Sequence, residues 1–463
     1  MDAVNKTSSP FRGAAWLITL GVLSAVGYVY LFRLSLEDLS PRTEHPHLIT
    51  HFLVVYFILF TLYVLLITPL VWKPGLDRRH LWFGIAFGLL FRAILLPSDL
   101  ILENDIYRYL WDGHTQHQGV NPFKYAPSDP NTQSYRTDYW KQINYPYVPT
   151  IYPPTLQVVF FLAEAIYPGS VAGMKFILII FDAATIFLLL SLLEKLKKPP
   201  EWCLIYAWSP LVIKEIANSG HADSVSACLL VAFFLILTNG RLLTSAFVMA
   251  AMTLTKFFGV LLLPLLHRQW NYWAYVAFFA SILFFYTPFF APGVNPLQGF
   301  LTYSNEWQFN AGPFESVAWM LERFGGENFD NANPLVRKIM FSVVLFTLAW
   351  QALRLYWRRD IEQTLRSTFI ALGTLLLCSP VINCWYLVWM VPLMCVFPHK
   401  SWIAFTGLVF LSYTYYYDLS FLWWVKWVEF GVFFFLLLDD ALPLRRKQKP
   451  NRQAVDQSLL NTR

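Results

Sequence analysis

Apolar stretches long enough to cross a lipid bilayer recur from one end of the chain to the other, and they limit its fold more than any other feature. A crossing helix needs about 20 apolar residues, and inside hydrocarbon only helices or closed barrels satisfy their own backbone. Windows at 14–34, 50–72, 80–97, 271–290, 335–356 and 421–438 qualify. Together with shorter apolar runs they predict an all-α polytopic membrane protein, a single integral-membrane domain over 1–463 with about 11–13 transmembrane helices. Composition agrees: 56% of residues are hydrophobic, 18% aromatic and only 14% charged, which no soluble surface of this size tolerates.

The net charge of +6 does not point to nucleic acid. Its basic residues gather in short turns: Lys73, Arg78 and Arg79; Lys195, Lys197 and Lys198; Arg354, Arg358 and Arg359; Arg445, Arg446 and Lys447. That is the positive-inside pattern of cytoplasmic loops. Five cysteines (Cys203, Cys228, Cys378, Cys384, Cys395) lie in or beside apolar runs without a CxxC pair, so neither a disulfide frame nor a zinc site is indicated. The first apolar segment is long and followed by others, so it reads as a retained span rather than a cleaved signal.

Starting from Lys6 and Arg12 in the cytoplasm, three spans carry residues 98–151 to the extracytoplasmic face. Counting back from a cytoplasmic basic tail at 441–463 places 291–334 on that same face. Between 155 and the GHAD sequence at 220–223 the count is odd. If the turn KLKKPP is cytoplasmic, one of the segments 155–168, 172–193 or 202–217 must be re-entrant or interfacial. Arg241 and Arg268 likewise bracket a run interrupted by Lys256, which predicts two half-length helices that leave both ends cytoplasmic and carry the lysine toward the outer face.

The first loop, with ENDIYRYLWDGHTQHQGVNPFKYAP at 103–127, is where chemistry is expected. Glu103, Asp105 and Asp112 follow directly on a span, so they are anchored at the membrane surface, where a carboxylate can deprotonate a hydroxyl. Helix capping or plain solvation would account for one isolated acid equally well. Here, however, Tyr107, Arg108, Tyr109 and Trp111 lie between the acids. Aromatic faces stack on pyranose rings while acids take the hydroxyls, so this mixture suits carbohydrate transfer. An interfacial aromatic belt explains the rings but not the acids.

DIYRYLWDG followed by GVNPFKYAP, then YPP, GHAD, TKFFGVLLLP and SPVINCWYLVWMVP, resembles the GT-C glycosyltransferases. Within them the chain is most similar to polyprenol-phosphate-mannose-dependent mannosyltransferases and glycosyltransferase family 87, over about residues 80–400. The resemblance implies a GT-C fold in a bacterial inner membrane with its active site facing outside. It also implies a sugar moved, with inversion, from a polyprenyl-phosphate donor to a glycan or lipid acceptor hydroxyl, mannose being the sugar. On that pattern Asp105 matches the general base, with Glu103 its close rival.

A lipid-phosphate leaving group needs no strong acid, so the enzyme has only to deprotonate the acceptor and stabilise phosphate charge. Lys256 is the first candidate for the phosphate and Arg108 the second, although a lysine there can also simply snorkel. Tyr107, Tyr109, Asp112, His221, Asp223, Trp307 and Asn310 are candidates for holding sugar or acceptor, while Asp223 alone would serve as a helix cap. SNEWQFN, with Glu306, Trp307 and Asn310, is similar to a W-x-F-N patch of family relatives. Asn383-Cys384-Trp385-Tyr386 departs from their Pro-Trp-Tyr.

His114 and His117, with Asp112, have helical spacing for a divalent metal, but no cofactor is called for. No Walker loop, GxGxxG, HExxH or GxSxG occurs, so nothing in the sequence points to a nucleotide donor bound in a soluble domain. The rival class is a transporter or flippase of a lipid-linked saccharide, which would place its charges at mid-membrane on broken helices and show two similar halves. A third reading, an assembly subunit without catalysis, leaves the acids without a role.

Overall fold

The computed structural model describes residues 14–37, 39, 45–326, 329–358 and 360–442. Lys6, Arg12, Arg359 and the basic tail beyond 442 lie outside the described residues. The principal helices are α1 (Ala14–Ser35), α2 (Pro46–Trp72), α3 (Arg78–Leu95), α4 (Ile106–His117), α5 (Pro154–Ile166), α6 (Val171–Lys195), α7 (Asp223–Thr238) and α8 (Leu242–Lys256). They continue with α9 (Tyr272–Tyr286), α10 (Gln298–Glu306), α11 (Gly312–Gly325), α12 (Phe329–Tyr356), α13 (Ile361–Leu377), α14 (Lys400–Leu408) and α15 (Trp423–Ala441). Among the described residues there is no strand, only the isolated bridge between Phe309 and Val381. The chain is an all-α polytopic membrane protein.

Five helices among the described residues are long and apolar enough to cross a membrane: Ala15–Ser35, Pro46–Trp72, Val171–Lys195, Tyr272–Phe289 and Asn333–Tyr356. The windows at 80–97 and 421–438 do form helices, α3 and α15, but Arg78, Arg79 and Arg92 in one and Lys426, Glu429, Asp439 and Asp440 in the other keep them out of that class. Other passages are interrupted, so the eleven to thirteen expected spans are not all continuous helices. Pro199–Pro200 and Ser209–Pro210 break 200–217 into short turns that end in a π-helical turn at Lys214–Asn218. Large apolar side chains such as Val26, Leu283, Phe346 and Phe435 are left exposed, as a lipid-facing surface requires.

The basic turns collect at one end of the bundle. Glu201 accepts from the backbone amides of Gly75 (2.5 Å) and Leu76 (3.2 Å), Lys198 bonds Glu362 (2.7 Å), and Lys400 bonds Asp439 (2.6 Å). The two long loops meet at the other end: Asn121 donates to the Phe289 carbonyl (2.8 Å), and Tyr145 meets Trp307 edge-on at 4.6 Å.

This arrangement resolves the odd count. Helix α5 starts in the loop end at Pro154 and finishes there too, where Glu164 accepts from Gly169 and contacts His114. It lies along α4 so closely that a Cβ on Gly113 would come within 2.5 Å of the Phe160 carbonyl. Helix α6 then runs to the basic end and 200–217 returns, bringing GHAD beside the first loop. Helix α8 rises from the basic end to Lys256, Phe257 turns the chain with φ 58°, and residues 259–266 descend. Trp270 closes this re-entrant hairpin by donating to Ser245 (3.0 Å).

Candidate active site at the loop end of the bundle

Two polar anchors hold the start of the first loop. Asn218, at the end of the π-turn, donates to Ser98 Oγ (2.9 Å) and the Asp99 carbonyl (2.7 Å) and accepts from the Ile101 amide (3.2 Å). Lys175 reaches the Ser98 carbonyl at 2.7 Å from α6. Leu102 follows in the left-handed region (φ 61°), a costly conformation for a branched residue that the surrounding bonds must enforce.

Asp105 occupies the N-cap position of α4, yet its carboxylate makes no capping bond. Its side chain keeps 27% of its exposure, receives a long contact from the Tyr152 hydroxyl (3.5 Å) and lies 4.0 Å from His221 Nδ1. Glu103 is buried instead. Burial, reinforced by the nearby Glu215 and Asp105 charges, holds its carboxyl well above the usual range despite Lys214.

Lys256, at the apex of the re-entrant hairpin, lies 2.9 Å from Asp223 and over the rings of Tyr386 (4.8 Å) and Trp389 (5.6 Å). Trp389 donates its indole N–H to the same carboxylate at 2.6 Å, so Asp223 serves as counter-ion rather than as a cap. Tyr303, on α10, shares a 2.5 Å hydrogen bond with Tyr386. Burial pushes the Tyr303 hydroxyl up, and the charges of Asp105 and Asp223 add to this. Asp105 meets Tyr152, and Lys256, Tyr386 and Tyr303 join in one cluster, although the sequence scatters these residues over four segments.

Other candidates are placed elsewhere. Arg108 pairs with Asp112 (2.9 Å) and donates to the Val148 carbonyl (2.9 Å). Asp112 also accepts from Thr150 (2.5 Å) and Gln157 (3.0 Å), so the pair forms a buried brace for the loop. Tyr109 is fully buried and stacks on Phe160 at 4.6 Å, with no face left for a sugar, whereas Tyr107 stacks on Tyr139 at 6.2 Å. Asn310 is buried and donates to Glu429 (2.7 Å), tying its loop to α15, while Trp307 remains in the aromatic group with Tyr145 and Tyr303. Glu306 is exposed. His114 contacts Glu164 (3.3 Å) and His117 stacks on Phe161 (4.0 Å). No group of three His, Cys, Asp or Glu suited to a metal occurs among the described residues.

Sequence reasoning missed the Lys214–Glu215 pair, which is fully buried with 3.2 Å between the charges. It lay inside a run read as apolar, and two adjacent ionisable residues there were the available signal. The departing segment Asn383–Tyr386 proves central to the packing: Trp385 stacks on His221 at 4.0 Å, and Tyr386 covers Lys256.

Residues 14–272 match the family model described as alpha-(1->6)-mannopyranosyltransferase, N-terminal domain, a stretch that contains Asp105, His221, Asp223 and Lys256. No curated protein and no solved structure matches the chain.

Proposed function

The chain belongs to the alpha-(1->6)-mannopyranosyltransferase family, and from that premise we propose that this membrane mannosyltransferase uses a polyprenyl-phosphate mannose donor and an acceptor hydroxyl at the extracytoplasmic face, with inversion. The observation carrying this reading is an uncapped, partly exposed Asp105 carboxylate beside Tyr152 and His221, with the Lys256 ammonium over Tyr386, which bonds Tyr303. Asp105 takes the acceptor's proton, the freed oxygen attacks the anomeric carbon, and the carbon–phosphate oxygen bond breaks with its electrons on the departing phosphate. Lys256 stabilises that phosphate, exchanging part of its attraction to Asp223 for the new charge. The rings of Tyr303 and Trp307 offer faces for the sugar.

A lipid donor also suits the outer surface. An open apolar groove of about 490 Å³ runs along α2, lined by Leu53, Phe57 and Ile58 and by Leu411, Tyr417 and Trp424 opposite. The neighbouring Tyr416 hydroxyl points inward toward Glu103 (3.5 Å).

The test supplies radiolabelled mannosyl-phosphoryl polyprenol to membranes carrying the protein or its variants. Asp105→Asn should lower transfer by on the order of 10²–10⁴-fold while leaving the protein folded. Lys256→Ala should chiefly raise the donor KM. An active Asp105→Asn variant would refute the assignment of the base, and an unchanged donor KM would leave Lys256 a snorkelling residue.

A further inference from the structure

His221 has no contact with solvent, and its Nδ1 makes no hydrogen bond. Buried polar groups are nearly always paired, and leaving one unpaired costs about 1–3 kcal/mol. A histidine kept only for packing would not be expected here. Both nitrogens nevertheless face carboxylates: Nε2 is 3.2 Å from Glu215 Oε2, and Nδ1 is 4.0 Å from Asp105 Oδ2. Trp385, stacked at 4.0 Å and 15°, fixes the ring plane. Gly220 makes the approach possible, since its φ of 70° and a 2.4 Å gap to Ile106 Cδ1 exclude a side chain. The π-turn carries Glu215, whose carbonyl also accepts from the His221 amide (2.9 Å).

Behind this pair, Glu215 Oε1 accepts from the Tyr413 hydroxyl (3.1 Å), and Lys214 lies 3.2 Å away. Lys214 offsets the charge of Glu215, and the tautomer that donates from Nε2 to Glu215 leaves a lone pair on Nδ1 toward Asp105. We propose that His221, oriented by Glu215, is a positioning residue for Asp105 and the partner to which Asp105 passes the acceptor's proton.

The inference rests on Asp105 being the base. The acceptor O–H bond breaks and its proton goes to Asp105 Oδ2 as the acceptor oxygen bonds the anomeric carbon and the phosphate leaves with its electron pair. The proton then moves from Oδ2 to His221 Nδ1, once the 4.0 Å gap has closed by a small carboxylate movement. The resulting imidazolium sits between two carboxylates, and its proton later returns through Asp105 to water. The relay thereby restores an ionised Asp105 before the product has left.

The groups facing His221 are Asp105 from the first loop and Glu215 from the π-turn. Lys214 and Tyr413 stand behind Glu215, Tyr152 stands beside Asp105, and Glu103 lies near both acids. The test compares His221→Gln with wild type across pH, in the mannosyl-phosphoryl polyprenol assay. The expected result is a kcat lower by on the order of 10²-fold, unchanged donor and acceptor KM, an unchanged thermal midpoint and an altered acid limb of the kcat profile.

A His221→Gln enzyme with wild-type kcat and pH profile overturns the relay, and if Asp105→Asn is inactive in the same assay the base itself survives. An active Asp105→Asn enzyme brings both down. A variant that loses kcat and thermal midpoint together, with the profile unchanged in shape, shows a merely structural histidine. Should His221→Gln fail to fold, Glu215→Gln decides: an altered acid limb of the kcat profile with unchanged KM supports the relay, and wild-type kcat with an unchanged profile overturns it.

Discussion

At the level of single residues, two carboxylates two positions apart are given opposite characters by their surroundings. Glu103 is 6% exposed among Tyr416, Glu215 and Asp105, whereas the Asp105 side chain is 27% exposed. Burial and the neighbouring carboxylates displace the ionisation of Glu103 upward, which counts against it as the charged base. Because its folded pKa lies above its unfolded one, its contribution to stability is complete at acid pH and is lost as pH rises from the ordinary carboxylate range through the raised value. Glu103→Gln, a neutral mimic, is expected to keep transfer near wild type and to flatten the fall of the thermal midpoint with rising pH, every tenfold difference in proton affinity between folded and unfolded chain being worth about 1.4 kcal/mol. An inactive Glu103→Gln beside an active Asp105→Asn would exchange their roles. The two acids were legible from their place after a span, but which of them is buried was not, because Tyr416 and Glu215 come from more than a hundred positions away.

At the level of elements, charge patterning carried much of the information. Arg241 and Arg268 pointed to the turn that Phe257 makes within 242–266, and the odd count expected over 155–217 singled out segments of which α5 begins and ends among the loop residues. Broken helices were less legible, since the prolines of 200–217 show where a helix stops but not that a π-turn will aim Glu215 at a histidine. Arg92 and Asp182 show the same limit. They join α3 to α6 as a fully buried pair, with Arg92 also donating to the Gly88 (2.9 Å) and Ala207 (2.7 Å) carbonyls. Removing one partner leaves a bare charge in the core, so Arg92→Met should cost about 3–5 kcal/mol, seen as a collapse of thermal stability in detergent. Adding Asp182→Leu should recover most of it. A double variant as unstable as the single would mean that the guanidinium's bonds to the two carbonyls, rather than the ion pair, hold these helices.

For the whole molecule, the aromatic cluster around Tyr303 and Tyr386 forms because distant loops meet, and no local pattern announces that. Trp385 lies on His221 and Tyr303 on Tyr386 because residues 309–310 and 380–382 run together, Phe309 donating to the Pro380 carbonyl (3.0 Å) and Ile382 to that of Phe309 (2.9 Å). The separation of the basic turns from the two long loops is what ties this geometry to a membrane side. If the basic turns are cytoplasmic, Asp105 and Lys256 lie outside, where the proposed lipid-linked sugar rather than a nucleotide sugar would supply the donor. Exposed positions at the two ends test this directly: Ser134 in the first loop and Arg79 in a basic turn. In a background with the half-buried Cys378 replaced by serine, Ser134→Cys should react with a membrane-impermeant maleimide in intact cells, and Arg79→Cys only after permeabilisation. The reverse pattern would place the candidate active site in the cytosol, leaving Asp105 no extracytoplasmic acceptor to deprotonate and requiring a donor from the nucleotide-sugar side.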